Sequence, residues 1–364
     1  MARLIGHQEI EDIALGAAVL GTGGGGDPYI GKLMAVQSIR ECGPVRMVSA
    51  DEIADDAQVA MAAMMGAPTV MVEKLPSGKE VVDAFLALQA YLGRKIDYTT
   101  SAEAGGLNST IPFTVAARLK IPIVDADGMG RAFPELQMVT PTMYGISATP
   151  MAIGDEKGNR AVINTPTNRW TETVARTITI DMGSTALIAL YPMSGRQVKE
   201  AMVLGTLTRA EQIGRALRTA RDTHRDAVEV VAEVTGGQTF FRGKVADVQR
   251  RTERGFARGE AHIQGTGDDE GRALVVHFQN EALMAIRDGE TVVSVPDLIV
   301  VLDAETGQPI TTEGLRYGFR VALLAIPCDP KWRTPAGLAL VGPRYFGYDV
   351  EYTPASFGER QGGR

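Results

Sequence analysis

The spacing of apolar residues changes in character along the chain. In the first 150 residues, short apolar runs alternate with stretches in which apolar residues recur every three or four positions. The first pattern is typical of buried strands and the second of amphipathic helices. Together they predict strands over 45–49, 58–65, 96–102 and 121–125, and helices over His7–Leu20, 28–42, 78–92 and 107–119. Strands that alternate with helices indicate an α/β layer with a largely parallel sheet.

The pattern changes after about residue 154. Helical spacing continues over 170–176, 195–203 and 207–222, and shorter runs separated by turn sequences follow from residue 238 onward. Such runs are typical of strands joined by hairpins. They predict strands over 240–248, 258–263, 273–278, 281–287, 291–293, 298–302 and 317–325. We therefore expect an α/β domain over 1–165 and a β-rich α+β domain over 166–364, with a frayed polar tail at 357–364.

Length and charge narrow the classes of function. A chain of 364 residues exceeds the usual size of a single core, which also favours two domains. The net charge of −7 argues against a general binder of nucleic acid or of anionic membranes. No segment approaches the roughly 20 apolar residues that span a bilayer. The two cysteines, Cys42 and Cys328, form no disulfide framework, and no secretory signal is recognised, so we expect a cytoplasmic protein.

Five glycines fall within six positions in the run Gly21-Thr22-Gly23-Gly24-Gly25-Gly26. Glycine loses much backbone entropy on folding, so such a run persists mainly where the chain passes very close to something. Asp27 and Pro28 follow as the predicted cap and first residue of a helix, and a loop that leads into a helix N-terminus can hold a polar ligand. We predict that residues 22–26 bind substrate. A flexible hinge between two helices is the alternative.

The spacing of three of these glycines also suggests a nucleotide-binding motif. Gly21, Gly23 and Gly26 match the spacing G-x-G-x-x-G, which would suggest an NAD-dependent enzyme. That motif follows a buried strand, however, whereas His7–Leu20 is predicted to be a helix. No Lys-Ser or Lys-Thr pair follows the glycines, which excludes a P-loop. We therefore expect no NAD.

A second candidate segment follows the predicted strand 96–102. Glu103 leaves this strand, Gly105 and Gly106 permit close approach of the backbone, and Asn108 opens the next helix. Ligands of open α/β sheets bind beyond the carboxyl ends of the strands. We predict a catalytic role for Glu103 and substrate binding by the two glycines and Asn108.

A third candidate segment follows the strand 121–125. If the strand continues to Asp127, Asp125 and Asp127 lie on one face, because side chains repeat every two residues. Two such carboxylates could hold a divalent metal or divide into an acid and a base. Arg131 could bind a substrate carboxylate through two hydrogen bonds. The structural alternatives are that the acids cap the next helix and that Arg131 pairs with Asp125.

The three segments together resemble one known family. They are the glycine run, the segment Glu103-Ala104-Gly105-Gly106-Leu107-Asn108, and the segment that begins Asp125-Ala126-Asp127-Gly128 and ends at Gln137. In this order they resemble the S-methyl thiohydantoin desulfurases, whose members often occur beside or fused to hydantoinase/oxoprolinase-type proteins. The resemblance covers most of the chain and is looser after about residue 165. It implies a hydrolase that replaces the S-methyl group of a hydantoin-like ring by water and releases methanethiol.

The resemblance also suggests roles for the candidate residues. Asp125 or Asp127 would activate water, directly or through a divalent metal, and the other acid or Glu103 would protonate a ring nitrogen. Backbone N–H groups of residues 23–26 and 105–106 would hold a ring oxygen, and Arg131 would hold a substrate carboxylate. The expected partners are a small molecule, further copies of this chain in a homo-oligomer, and a hydantoinase/oxoprolinase-type protein. The rival function is that of a non-catalytic binding or accessory subunit of such a complex.

Overall fold

The computed structural model of the chain describes residues 2–66, 70, 76–253 and 255–355, and the predicted frayed tail at 357–364 lies outside them. The strands up to residue 204 are β1 (Arg3–Ile5), β2 (Val45–Val48), β3 (Gln58–Gly66), β4 (Tyr98–Ser101), β5 (Ile123–Val124), β6 (Ala126–Asp127), β7 (Met151–Gly154), β8 (Arg160–Ile163), β9 (Thr185–Ser194) and β10 (Val203–Leu204). Eight of them form one sheet in the order β1-β2-β5-β4-β3-β9-β7-β8, and β6 pairs with β10.

The centre of this sheet is parallel, as predicted. β2, β5, β4 and β3 lie side by side and run in one direction. β1 joins one edge antiparallel, and β9, β7 and β8 extend the other edge antiparallel. β9 comes from residues beyond 165, so the chain returns to the first sheet after leaving it. The division into domains at residue 165 stays a prediction.

The described helices lie around the first sheet and beside the second. They are α1 (His7–Leu20), α2 (Pro28–Cys42), α3 (Lys79–Leu92), α4 (Ile111–Leu119), α5 (Thr140–Met143), α6 (Asn168–Asp181), α7 (Gly195–Ala201), α8 (Thr206–Asp222), α9 (Ala227–Thr235) and α10 (Pro335–Val341). The predicted helix over 107–119 begins only at Ile111, because residues 107–110 form turns. No helix among the described residues is long and apolar enough to cross a membrane.

The second sheet is antiparallel and is built from the last third of the chain. Its strands are β11 (Gln238–Glu253), β12 (Phe256–Gly265), β13 (Ala273–Gln279), β14 (Glu281–Arg287), β15 (Glu290–Ser294), β16 (Leu298–Asp303) and β17 (Arg320–Ile326). They lie in the order β15-β14-β13-β12-β11-β17-β16. The predicted β-rich second part of the fold is therefore confirmed.

Helices α1 and α8 pack unusually closely. Side chains built at Gly16 or Gly214 would overlap the backbone of the facing helix, so both positions require glycine. Arg218 of α8 donates to both carboxylate oxygens of Asp12 on α1, at 2.9 and 2.8 Å. These contacts fix α1, which leads into the glycine run, against α8.

Candidate functional site

The glycine run lies between α1 and α2, as predicted. Asp27 accepts a hydrogen bond from the Tyr29 N–H at 2.7 Å, and Pro28 is the first residue of α2. The carbonyl of Gly25 accepts from the N–H groups of Leu107 and Asn108 at 3.0 and 3.3 Å. A Cβ built at Gly105 would lie 2.5 Å from the Cα of Gly25. The first two candidate segments therefore touch backbone to backbone, and glycine is required for this approach.

The beginning of the run contacts the second sheet. The carbonyl of Thr22 accepts from the Ala282 N–H at 2.9 Å, and the carbonyl of Gly23 accepts from the Thr312 N–H at 2.9 Å. A Cβ built at Gly24 would overlap the carboxyl group of Glu281. The run is thus a packed seam between the two sheets, and hydrogen bonds to both sides hold it.

A narrow cleft with a cavity volume of about 80 Å³ opens at this seam. Four predicted residues line it: Gly25, Gly26, Glu103 and Asn108. Much of the remaining wall is apolar, with contributions from Met64, Met65, Phe133, Ile188 and Leu190. A concave site with an apolar wall and a few convergent polar groups is typical of small-molecule binding.

Glu103 is buried in this cleft just beyond β4. Its carboxylate accepts from Asn108 Nδ2 at 2.5 Å and from the backbone N–H of Phe133. The Met64 N–H donates to Asn108 Oδ1 at 2.8 Å, which fixes the orientation of the amide. Burial raises the pKa of Glu103 to about 7, and the hydrogen bonds and the charge of Arg131 offset only part of this effect. Glu103 can therefore gain or lose a proton near neutral pH.

Glu281 is a second buried carboxyl in the same cleft, and the sequence pattern does not single it out. It begins β14 after Asn280, whose φ is +57°. Burial and the neighbouring charge of Glu103 raise its pKa well above the ordinary value. In the sequence it is only the first residue of the predicted strand 281–287. The available signal was an acid directly after a turn residue, at the start of an otherwise apolar run.

Asp125 and Asp127 lie at the N-terminus of α8 and are not among the residues that line the cleft. Asp125 accepts from the N–H groups of Leu207 and Thr208 at 2.9 and 3.1 Å. Asp127 accepts from the Gly130 N–H at 2.8 Å and from the Thr206 hydroxyl at 3.0 Å. Since β5 ends at Val124 and β6 pairs separately with β10, the assumed single strand does not form. Asp125 therefore caps α8 rather than the next helix in the chain, and Asp127 holds a local turn and the Thr206 side chain.

Arg131 is also buried outside the lining of the cleft. Its five N–H groups match five protein acceptors: the carbonyls of Ala132, Pro296, Asp297 and Ala282, and the Thr22 hydroxyl. Burial lowers its pKa to about 10, which leaves it charged at neutral pH. In this arrangement no N–H is left for a substrate carboxylate. Arg131 instead ties the glycine run to β14 and to the loop before β16.

The cleft contains one further charged pair. Arg176 and Glu172, both on α6, form an ion pair, and the Arg176 guanidinium lies 4.1 Å from the ring centre of Phe256. The Leu136 N–H donates to Glu172 at 2.9 Å. Because Arg176 is already paired, it offers little free positive charge to a ligand. Among the described residues, no group of three or more His, Cys, Asp or Glu is arranged to hold a metal ion.

The capping contacts of Asp125 predict a stability effect. We expect Asp125→Ala to lower the free energy of unfolding by about 1–2 kcal/mol, because α8 loses its cap, and Asp125→Asn to cost less. Urea unfolding measures both. Asp226→Ala is the matched control and should cost a similar amount, since Asp226 caps α9 in the same way, through the N–H groups of Val228 and Glu229. Unchanged stability together with lost turnover in Asp125→Ala would instead support a catalytic role.

The raised pKa values predict how stability depends on pH. Glu103 and Asp127 titrate near 7 and 8 in the folded chain because both are buried, whereas the unfolded chain releases these protons near pH 4. Between about pH 4 and 8 the folded state therefore binds more protons than the unfolded state. The free energy of unfolding then falls as pH rises from about 5 to 8. Urea unfolding across this range tests the sign. Glu103→Gln should reduce the slope, and a rise in stability with pH would contradict the assignment.

Comparisons with known proteins agree with this architecture. Residues 8–165 match the family model for the S-Me-THD-like N-terminal domain, and residues 166–355 match that for the S-Me-THD-like C-terminal domain. The chain is also similar to a protein from Chromobacterium violaceum with a crystal structure from the Northeast Structural Genomics Consortium. That similarity has a TM-score of 0.83 at 26% identity and covers 97% of this chain and 100% of that chain. No curated protein matches this chain.

Proposed function

The chain belongs to the S-Me-THD-like family, that of the S-methyl thiohydantoin desulfurases, and we propose that it is a hydrolase. In this proposal it replaces the S-methyl group of a hydantoin-like ring by water. The observation that carries this proposal is the buried Glu103 in a cleft walled by glycine backbone. A carboxyl whose pKa lies near neutrality suits proton transfer at physiological pH. Gly25 and Gly26 place side-chain-free backbone in the wall of the same cleft, beside Glu103.

The reaction redistributes both hydrogens of one water molecule. Water forms a C–O bond at the ring carbon that carries the sulfur, and the C–S bond breaks to release methanethiol. Of the two hydrogens of water, one ends on the sulfur and the other on a ring nitrogen. In our proposal ionised Glu103 takes a proton from the attacking water and later gives it to the departing sulfur. Asn108 holds the Glu103 carboxylate in position for both steps.

The other predicted site residues act by positioning in this proposal. Asp125 and Asp127 fix the start of α8, and Arg131 fixes the contact between Thr22 and the start of β14. Gly23 and Gly24 complete the seam on the side of the second sheet. This assigns the proton transfer from water to Glu103, where the family resemblance suggests Asp125 or Asp127.

The charges of the cleft also limit the ring substituent. The lining includes the carboxyl groups of Glu103, Glu135, Glu172 and Glu281, and the only positive charge among the described lining residues is that of Arg176, which is paired. A substrate carboxylate would meet uncompensated like charge there. We therefore expect substrates with an alkyl or aryl substituent to react faster than those with a carboxymethyl substituent.

A thiol-release assay tests the proposal. The purified chain is incubated with S-methyl thiohydantoins that carry a benzyl or a carboxymethyl substituent, and free thiol is followed with and without a chelator. We expect thiol release with the benzyl compound, and sensitivity to the chelator would add a metal to the mechanism. A folded chain that releases no thiol from either compound rejects the hydrolase. Co-purification with a hydantoinase/oxoprolinase-type protein would then favour the accessory function.

A further inference from the structure

Protonation of the ring nitrogen needs a group that the proposed function has not yet named. Glu281 lines the cleft and is 2% exposed. Its Oε2 atom has no hydrogen-bond partner among the described residues. Leaving a buried polar atom unpaired destabilises the folded chain, so such an atom persists mainly where it has another use, such as holding a proton or meeting a ligand.

We propose that Glu281 is the second catalytic residue, which protonates the ring nitrogen while Glu103 deprotonates the attacking water. The cycle then closes in two steps. In the first, the C–O bond forms, Glu103 gains a proton from water, and Glu281 gives its proton to the ring nitrogen. In the second, the C–S bond breaks, Glu103 gives its proton to the sulfur, and Glu281 takes the proton of the new hydroxyl group as C=O forms. Both carboxyl groups return to their starting states.

The glycine run supplies the space for this carboxyl. The Glu281 side chain lies against the Cα of Gly24, where any Cβ would overlap Oε1. Arg131 fixes the neighbouring backbone by donating to the Ala282 carbonyl at 3.3 Å and to the Thr22 hydroxyl at 3.0 Å. Glycine at position 24 therefore has a purpose beyond chain flexibility: it admits the second carboxyl to the cleft.

The charges around the two carboxyl groups favour different protonation states. The charged groups that act on Glu281 are Glu103 and Glu313, which raise its pKa, and Arg131, which lowers it, while burial is the largest effect. Arg131 also faces Asp297 and Cys328, and Glu103 acts on Asp127. Burial raises the pKa of Glu103 only to about 7. Near neutral pH, Glu103 can therefore be ionised as a base while Glu281 stays protonated as an acid.

Carbon-13 NMR of labelled glutamate carboxyl groups tests the pair without any substrate. Signals are assigned by the loss of one resonance in each of Glu281→Gln and Glu103→Gln. We expect Glu281 to titrate above Glu103, and Glu103→Gln to lower the pKa of Glu281 by about one unit or more, because a neighbouring negative charge is removed. Glu80→Gln is the control, since Glu80 is buried with an unpaired oxygen outside the cleft lining. A titration of Glu281 in the ordinary range of glutamate, or one unchanged in Glu103→Gln, overturns the pair.

Kinetics test the catalytic role, which rests on the proposed function. We expect Glu281→Gln to lower kcat for thiol release about a hundredfold or more and to remove the fall of the rate at alkaline pH. Glu80→Gln should keep the kcat of the wild type and its alkaline fall. Glu281→Asp should recover part of the rate. A Glu281→Gln variant with the rate and alkaline limb of the wild type overturns this inference while the hydrolase stands. A wild-type chain without thiol release rejects the hydrolase and this role together, and the NMR titration then still decides whether the carboxyl pair exists.

Discussion

Glu103→Gln should lower kcat for thiol release by about a thousandfold, within the range measured when a general acid or base is removed. Glutamine has nearly the same shape, and its carbonyl oxygen can still accept from Asn108, so the cleft should keep its structure. The amide cannot exchange a proton with water or sulfur. KM should change much less than kcat, because the loss falls on the reacting step rather than on binding.

The pH profile gives an independent check of the same residue. With a pKa near 7, the wild-type rate should rise as pH increases through neutrality, since Glu103 acts as a base when ionised. Glu103→Gln should lose this rise. Asp125→Asn offers the decisive comparison, because it changes an equivalent carboxyl that caps α8. A Glu103→Gln variant with normal turnover beside an inactive Asp125→Asn variant would restore the assignment that the family resemblance suggests.

Gly25→Ala should destabilise the protein by roughly 2–5 kcal/mol, the sum of a left-handed backbone penalty and overpacking. The φ of Gly25 is +74°, and a Cβ there would overlap the Cα of Gly105. The clash is with backbone rather than with a flexible side chain, so relief requires the seam to open. The same movement would displace Glu103 from Asn108 and reduce thiol release.

A second glycine separates the two parts of this cost. Gly93 has a φ of +65° at the end of α3, and no atom lies within 4 Å of a Cβ built there. Gly93→Ala therefore incurs only the backbone penalty, about 1–2 kcal/mol. Urea unfolding of both variants measures the difference. Equal losses of stability would show that the close approach of residues 25 and 105 contributes nothing.

Local patterns were sufficient to predict much of the fold. Periodicity placed α1 and the strands of the second sheet, and Asp27 with Pro28 marked the start of α2. Glu103 and Asn108 could be found because a strand end, two glycines and a helix start lie within a few residues. Their meeting with the glycine run was not predictable in the same way, because that run follows helix α1 rather than a strand of the parallel sheet.

Long-range contacts account for what the sequence did not predict. Asp125 meets the N-terminus of α8, which lies 82 residues further along the chain, and no local pattern reveals that pairing. The same acid types serve equally well as caps and as catalysts. Glu281 belongs to the second sheet, so its place beside Glu103 depends on how the two sheets pack. β9 was not predicted, although its almost continuously buried run is the same signal that identified β3.

Hydrolysis in oxygen-18 water shows whether water replaces sulfur at the ring carbon. The wild-type chain is incubated with an S-methyl thiohydantoin in labelled water, and the products are identified by mass spectrometry. We predict methanethiol together with a hydantoin that carries one oxygen-18 atom at the former sulfur position. Labelled methanol together with a thiohydantoin that keeps its sulfur would contradict it, as would the absence of any product from the folded chain.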